Sequence, residues 1–133
     1  MIYLLDTHVW LWATFEPNKL SPAVLQILQN NPCRVSVASI WELQIKVALG
    51  KLDLPQPLDS LVATTKREIE ILSVHAEHAL ALRELAFDRE HRDPFDRMLV
   101  AQAIHEKCEL VTADKKLERY PVTILWAQAR LPS

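Results

Sequence analysis

The amino-acid sequence predicts an α/β fold of three layers, an α/β/α sandwich around a central, mainly parallel sheet. Three observations lead there. Short apolar or β-branched runs are separated by helical segments throughout, which implies parallel pairing through right-handed crossovers. Most strand runs are apolar without alternation, as in a sheet buried on both faces. Glycine occurs once in 133 residues, at Gly50, which suits a helix-rich chain and not an all-β one built on glycine turns.

Ile2 to Leu5 is an apolar run ending at an acid, and reads as a buried strand. Thr7 to Phe15 reads as a helix closed by Glu16-Pro17-Asn18. Ser21-Pro22 starts a second helix through Gln29, with serine as cap and proline at the first helical position. Arg34 to Ala38 is a strand, and Ser39 is expected to cap a helix that runs to Leu49 and stops at Gly50. Plotted at 100° per residue, the apolar side chains of that helix cover most of its circumference, so it is expected to be largely buried. Pro55 and Pro57 mark a loop before a helix from about Leu58. Glu68 to Val74 alternates and reads as a third strand, and His75 to Leu85 as a helix. Phe87 to Arg92 is a charged loop and Pro94 to Lys107 a clear helix. Leu110 to Thr112 is a strand, Asp114 to Glu118 a helical turn, and Val122 to Leu125 a last strand.

The length fits one domain, and 50% apolar residues suffice for a core and exclude a disordered tail. A single glycine excludes glycine-rich phosphate loops. The net charge of −2 argues against a broad basic face for nucleic acid, though acids gathered on a metal are neutralised by it. Cys33 and Cys108 read as buried, reduced thiols. The apolar N-terminus lacks a basic start and meets Asp6 early. It therefore reads as neither signal peptide nor membrane span, and the expected location is the cytoplasm.

The functional signal lies in the acids. Asp6 and Asp114 both follow strands, at the sheet edge where such folds collect ligands, although an aspartate there equally serves as cap or turn former. Glu42 falls in a helix, where pairing with Lys46 is the plain alternative. Asp93 before Pro94 reads first as a helix cap, with metal contact as a secondary role. Asp96 falls in the first turn, where the helix dipole favours its ionised form. Four carboxylates from four segments repel unless a cation joins them, and an all-oxygen set selects Mg²⁺, with Mn²⁺ as substitute. Such a site activates water and stabilises a phosphoryl transition state, with one metal or two. Without Asp6, Glu42, Asp96 and Asp114, 15 basic residues face 13 acids, a balance of +2 that suits a phosphate backbone.

Four segments in this order and spacing resemble the PIN-domain family, in particular the VapC-type ribonuclease toxins of toxin–antitoxin operons. They are Leu4-Leu5-Asp6-Thr7-His8, Val35 to Glu42, Asp93 to Ala103, and Leu110 to Asp114. The resemblance spans essentially the whole chain and implies a single PIN domain over 1–133. It implies that Asp6, Glu42, Asp96 and Asp114 are catalytic and metal-binding, with Thr7 and Thr112 beside them, and that Asp96 rather than Asp93 is the core acid. It further implies Mg²⁺-dependent endonucleolytic cleavage of RNA, a small DNA-binding antitoxin as partner, and a homodimer. Val9 to Ala13 is one candidate dimer surface, and Arg89, Arg92 and Arg97 are candidate phosphate contacts.

Other features read as ordinary. Trp10, Trp12, Trp41 and Trp126 are expected in the core or an interface, not as base-stacking platforms. His75 and His78 are three apart on a helix with no third ligand near in sequence, which argues against zinc. His8 reads as a local hydrogen-bonding or packing residue with substrate contact as the alternative. Two rivals stand beside the nuclease. A phospho-acceptor domain would need a second aspartate where His8 stands, or an acidic pair and a lysine that are out of place. A non-catalytic PIN-fold module binding RNA or an antitoxin would not need all four acids.

Overall fold

The computed structural model describes residues 1–86 and 89–130. Five strands form one all-parallel sheet: β1 (Tyr3–Leu5), β2 (Cys33–Ser36), β3 (Glu70–Leu72), β4 (Glu109–Thr112) and β5 (Ile124–Trp126). Their spatial order is β3-β2-β1-β4-β5. The chain thus winds outward from β1 in one direction, then returns to its other side for β4 and β5. Leu5 pairs with Val35 on one side and Val111 on the other, so the winding reverses between β1 and β4. Open α/β sheets bind ligands beyond the carboxyl ends of their strands at such a reversal.

The helices are α1 (Thr7–Phe15), α2 (Pro22–Gln29), α3 (Val37–Ala48), α4 (Leu58–Glu68), α5 (Ala76–Ala81) and α6 (Pro94–His105). Alternate strand residues feed two cores. Tyr3, Leu5, Val35 and Val111 pack with Val9, Trp10, Val24, Leu43 and Leu61. Leu4, Leu72 and Leu110 pack on the other face with Leu99, Val100 and Ala103 of α6. The largest core side chain, Trp10, is buried with its indole N–H satisfied by Thr65 Oγ1 at 3.0 Å.

Several boundaries differ from the sequence reading, each for a local reason. Ser36, not Ser39, caps α3: its hydroxyl accepts from the Ala38 amide at 3.0 Å, so the strand ends and the helix begins earlier. Ser39 is left buried inside the first turn. α3 is not the buried helix expected either. Its inward face carries Ala38, Ser39, Glu42 and Leu43, and Val37, Trp41, Ile45 and Val47 are exposed. β3 is shorter than the alternation implied, and α5 gives way to a 3-10 turn at Leu82–Glu84. Of the candidate dimer surface, Val9 and Trp10 are core residues, and Leu11, Trp12 and Ala13 are half-buried against that core. Of the expected charged loop, Phe87 and Asp88 lie outside the described residues.

Two left-handed residues end helices. Gly50, φ 70°, stops α3 as its position predicts. Lys107, φ 57°, does the same for α6, with the Cys108 amide reaching back to Ala103 O at 2.9 Å. A side chain in that backbone region is disfavoured, and glycine is not. Lys107→Gly is therefore expected to stabilise the fold by about 0.5–1 kcal/mol after the extra freedom of the unfolded chain is subtracted, read as a raised thermal unfolding midpoint. A lowered midpoint would contradict this account of the α6 terminus.

Candidate functional site

The reversal between β1 and β4 puts Asp6 and Asp114 side by side. Asp6 leaves β1 as the cap of α1, its Oδ1 accepting from the Val9 amide at 2.7 Å. Asp114 leaves β4 as the cap of the following 3-10 turn. Thr112, fully buried, ties them: its oxygen accepts from the Asp114 amide at 3.0 Å, and its hydroxyl bonds the Asp6 carboxylate. Burial pushes the Asp6 carboxyl above its ordinary range, the Thr112 and Val9 hydrogen bonds oppose that shift, and the charge of Asp114 adds to it. His8 is exposed and acts on Asp6 only through its charge.

Glu42 enters from α3 and is buried. Its Oε1 accepts from the Thr7 hydroxyl at 2.7 Å, and its Oε2 meets Lys46 Nζ at 2.9 Å. The Thr7 proton being committed, Ser39 Oγ at 2.9 Å donates in turn to Thr7. The surface-pair alternative for Glu42 is thus half right: the pair with Lys46 exists, on a buried carboxylate.

Asp96 enters from α6. Asp93 caps that helix as expected, its exposed Oδ1 accepting from the Phe95 amide at 2.9 Å and the Asp96 amide at 3.2 Å. Burial, then the charges of Asp93 and Glu42, push Asp96 up to about 6 against the pull of His91. Asp96, Asp114 and His91 each offer a ligand atom within 4.8 Å of the other two.

His91 was not a candidate from sequence, because nothing in a charged loop distinguishes it. It is buried, with Nε2 3.3 Å from Asp96 Oδ2 and Nδ1 on the Tyr120 hydroxyl. Arg97 donates to that phenolic oxygen at 3.2 Å, so the phenolic proton points to His91 Nδ1 and the Nε2–H is left for Asp96. This relay, Arg97 to Tyr120 to His91 to Asp96, orients one carboxylate oxygen and leaves the other open. It also corrects the reading of Arg97. Its guanidinium is engaged by Tyr120 and the carbonyls of Leu85 and Ala86.

A second convergence corrects the sequence reading that His78 lacks neighbouring ligands. His105 and Glu106 approach it from the end of α6. Yet His78 Nδ1 accepts the His75 amide at 3.0 Å, which leaves the proton on Nε2, donated to Glu106 Oε2 at 3.1 Å. A histidine ligand needs the opposite arrangement, a lone pair on the metal side and an N–H behind it. The group reads as a clasp between α5 and α6. A groove of about 830 Å³ lies between α1, α2 and α4 and contains none of the candidate acids.

The family model described as PIN domain matches residues 3–122. The chain belongs to the PIN-domain family. The fold agrees: VapBC2 from Rickettsia felis, bound to a DNA fragment from its promoter, superposes with TM-score 0.72 at 26% identity, covering 95% of this chain and 98% of that one. VapBC-1 from nontypeable Haemophilus influenzae gives 0.63 at 23% identity over 90% and 92%. DNA-bound VapBC from Salmonella typhimurium gives 0.66 at 19% over 93% and 96%. No curated protein sequence matches the chain. Among the described residues, no helix of this PIN domain is long and apolar enough to cross a membrane.

The acid cluster fits a divalent cation. Glu42 has Lys46 as counter-charge, but Asp6, Asp96 and Asp114 have no such lysine or arginine partner among the ion pairs of the described residues. An apo carboxyl pushed up to about 6, against an ordinary value near 4, penalises folding once it ionises. That penalty starts above about pH 4 and is complete above about pH 6. In EDTA, Asp96→Asn is therefore expected to raise stability by about 1–2 kcal/mol at pH 7.5, with the gain vanishing toward pH 4. Thermal melts at both pH values check this, and a variant less stable at pH 7.5 would contradict it.

Proposed function

We propose that this PIN domain is a Mg²⁺-dependent endoribonuclease, the toxin of a toxin–antitoxin pair, acting in the cytoplasm as a homodimer. The observation that carries the reading is the convergence of Asp6, Asp96 and Asp114 at the winding reversal of a PIN fold, with no lysine or arginine paired to them among the ion pairs of the described residues. We assign the catalytic and metal-binding roles to Asp6, Glu42, Asp96 and Asp114, with Asp93 as a secondary contact and Mn²⁺ as a substitute for Mg²⁺. When bound, the cation supplies an activated water and stabilises charge on phosphorus. The chain's own part is positional. Thr112 and the Val9 amide fix Asp6, His91 fixes Asp96, and Thr7 and Lys46 fix Glu42.

The VapBC complexes, two of them on DNA, support a small DNA-binding antitoxin as partner, whose bound segment would cover the acids. The alternative, a module that binds RNA or an antitoxin without cutting, is separated from the nuclease by products alone.

Purified, antitoxin-free protein is expected to fragment a mixed RNA pool with Mg²⁺ or Mn²⁺ and not with EDTA. Asp6→Asn and Asp96→Asn should lower cleavage by more than the roughly 10–100-fold typical of outer-shell partners, and His91→Ala by about that range. Asp93→Asn should lose little, since asparagine caps helices well. Full cleavage by Asp6→Asn would overturn the site, and binding without products would favour the module.

A further inference from the structure

Trp41, expected in the core or an interface, is not in the core. It is 63% exposed, and no other tryptophan is among the exposed large hydrophobics. It is nonetheless anchored: its ring meets Phe95 edge-on, centroids 5.1 Å apart at 81°. The pair bridges α3 and α6 at the level of the acids, because Trp41 precedes Glu42 and Phe95 precedes Asp96 in the chain. With that much surface open, the indole is not covered on both faces. Resting on the nuclease reading above, we infer that Trp41, braced by Phe95, is a stacking platform for an unpaired nucleobase of the single-stranded substrate.

Electrostatics says why such a platform is needed. Nucleic-acid affinity normally rises with the number of phosphates met by lysine and arginine. Here the chain carries −2 overall, and two basic side chains of the site are already engaged, Lys46 by Glu42 and Arg97 by Tyr120 and two carbonyls. Stacking asks for no positive charge, and every base offers a π-face. The contact with Phe95 keeps the indole in one orientation before substrate arrives, which lowers the ordering cost of binding. A duplex would gain nothing from it, because its bases have no free face. Val37 and Ile45, exposed one turn to either side, extend the apolar stripe beneath such a base.

The test is binding of a labelled 12-nucleotide RNA of mixed sequence, single-stranded or annealed, followed by anisotropy with Ca²⁺ replacing Mg²⁺. Trp41→Ala is expected to weaken single-strand binding by about 5- to 150-fold, the range for loss of one stacked base. Trp41→Phe should stay close to wild type, and duplex binding should be unchanged in both. Equal single-strand affinity in Trp41→Ala, or an equal loss in Trp41→Phe, overturns the platform. So does loss of a dimer in light scattering with RNA affinity intact, which would assign the stripe to self-association. Cleavage that fails while Trp41-dependent binding persists would sink the nuclease and leave the platform. Cleavage with Trp41-independent binding would do the reverse.

Discussion

The constraint on which this molecule turns is repulsion among carboxylates that the fold forces together. Asp6 and Asp114 stand where the winding of the sheet reverses, and α6 brings Asp96 within 4.8 Å of Asp114. Each is held in place by a neighbour that brings no fixed positive charge: a hydroxyl at Asp6, the Lys116 backbone amide at Asp114, and at Asp96 a histidine held by a tyrosine. Among the ion pairs of the described residues, only Glu42 of these acids has a lysine. A protein selected for stability alone would not place three acids so, since each buried charge without a partner costs several kcal/mol unless it protonates. A bound cation would make the arrangement favourable; burial and the charges of Asp93 and Glu42 hold the Asp96 carboxyl up at about 6.

The surrounding structure serves that placement. Thr7 and Thr112 have parallel tasks, each spending its one proton on a carboxylate and its oxygen on a second group. Ser36 takes the cap of α3 so that Ser39 reaches Thr7 from inside the helix. Turning Glu42 and Ser39 inward rotates the apolar side of α3 to solvent, which is why Trp41 is exposed beside the acids. The polar site and the open indole are two faces of one helix rotation.

Much of this was legible in the chain because local signals agreed. The strand runs gave the parallel sheet, and Ser21-Pro22, Asp93-Pro94 and Gly50 marked helix ends where the structure has them. All four principal acids lie in the expected segments. What was not legible depended on long-range geometry. His91 and Tyr120 are 29 residues apart, and their contact has no sequence signature. The meeting of His78 with Glu106 depends on how α5 packs against α6. The periodicity of α3 counted apolar residues correctly but could not tell which side the sheet would take, so burial was assigned to the wrong face.

The acids' role as a cation site is tested most directly by anomalous scattering from crystals soaked in Mn²⁺. A peak within about 2.0–2.3 Å of carboxylate oxygens of Asp6, Asp96 or Asp114, with His91 still bonded to Asp96, is the result this account predicts. Density confined to His78, His105 and Glu106, or none among the acids at saturating Mn²⁺, would contradict it.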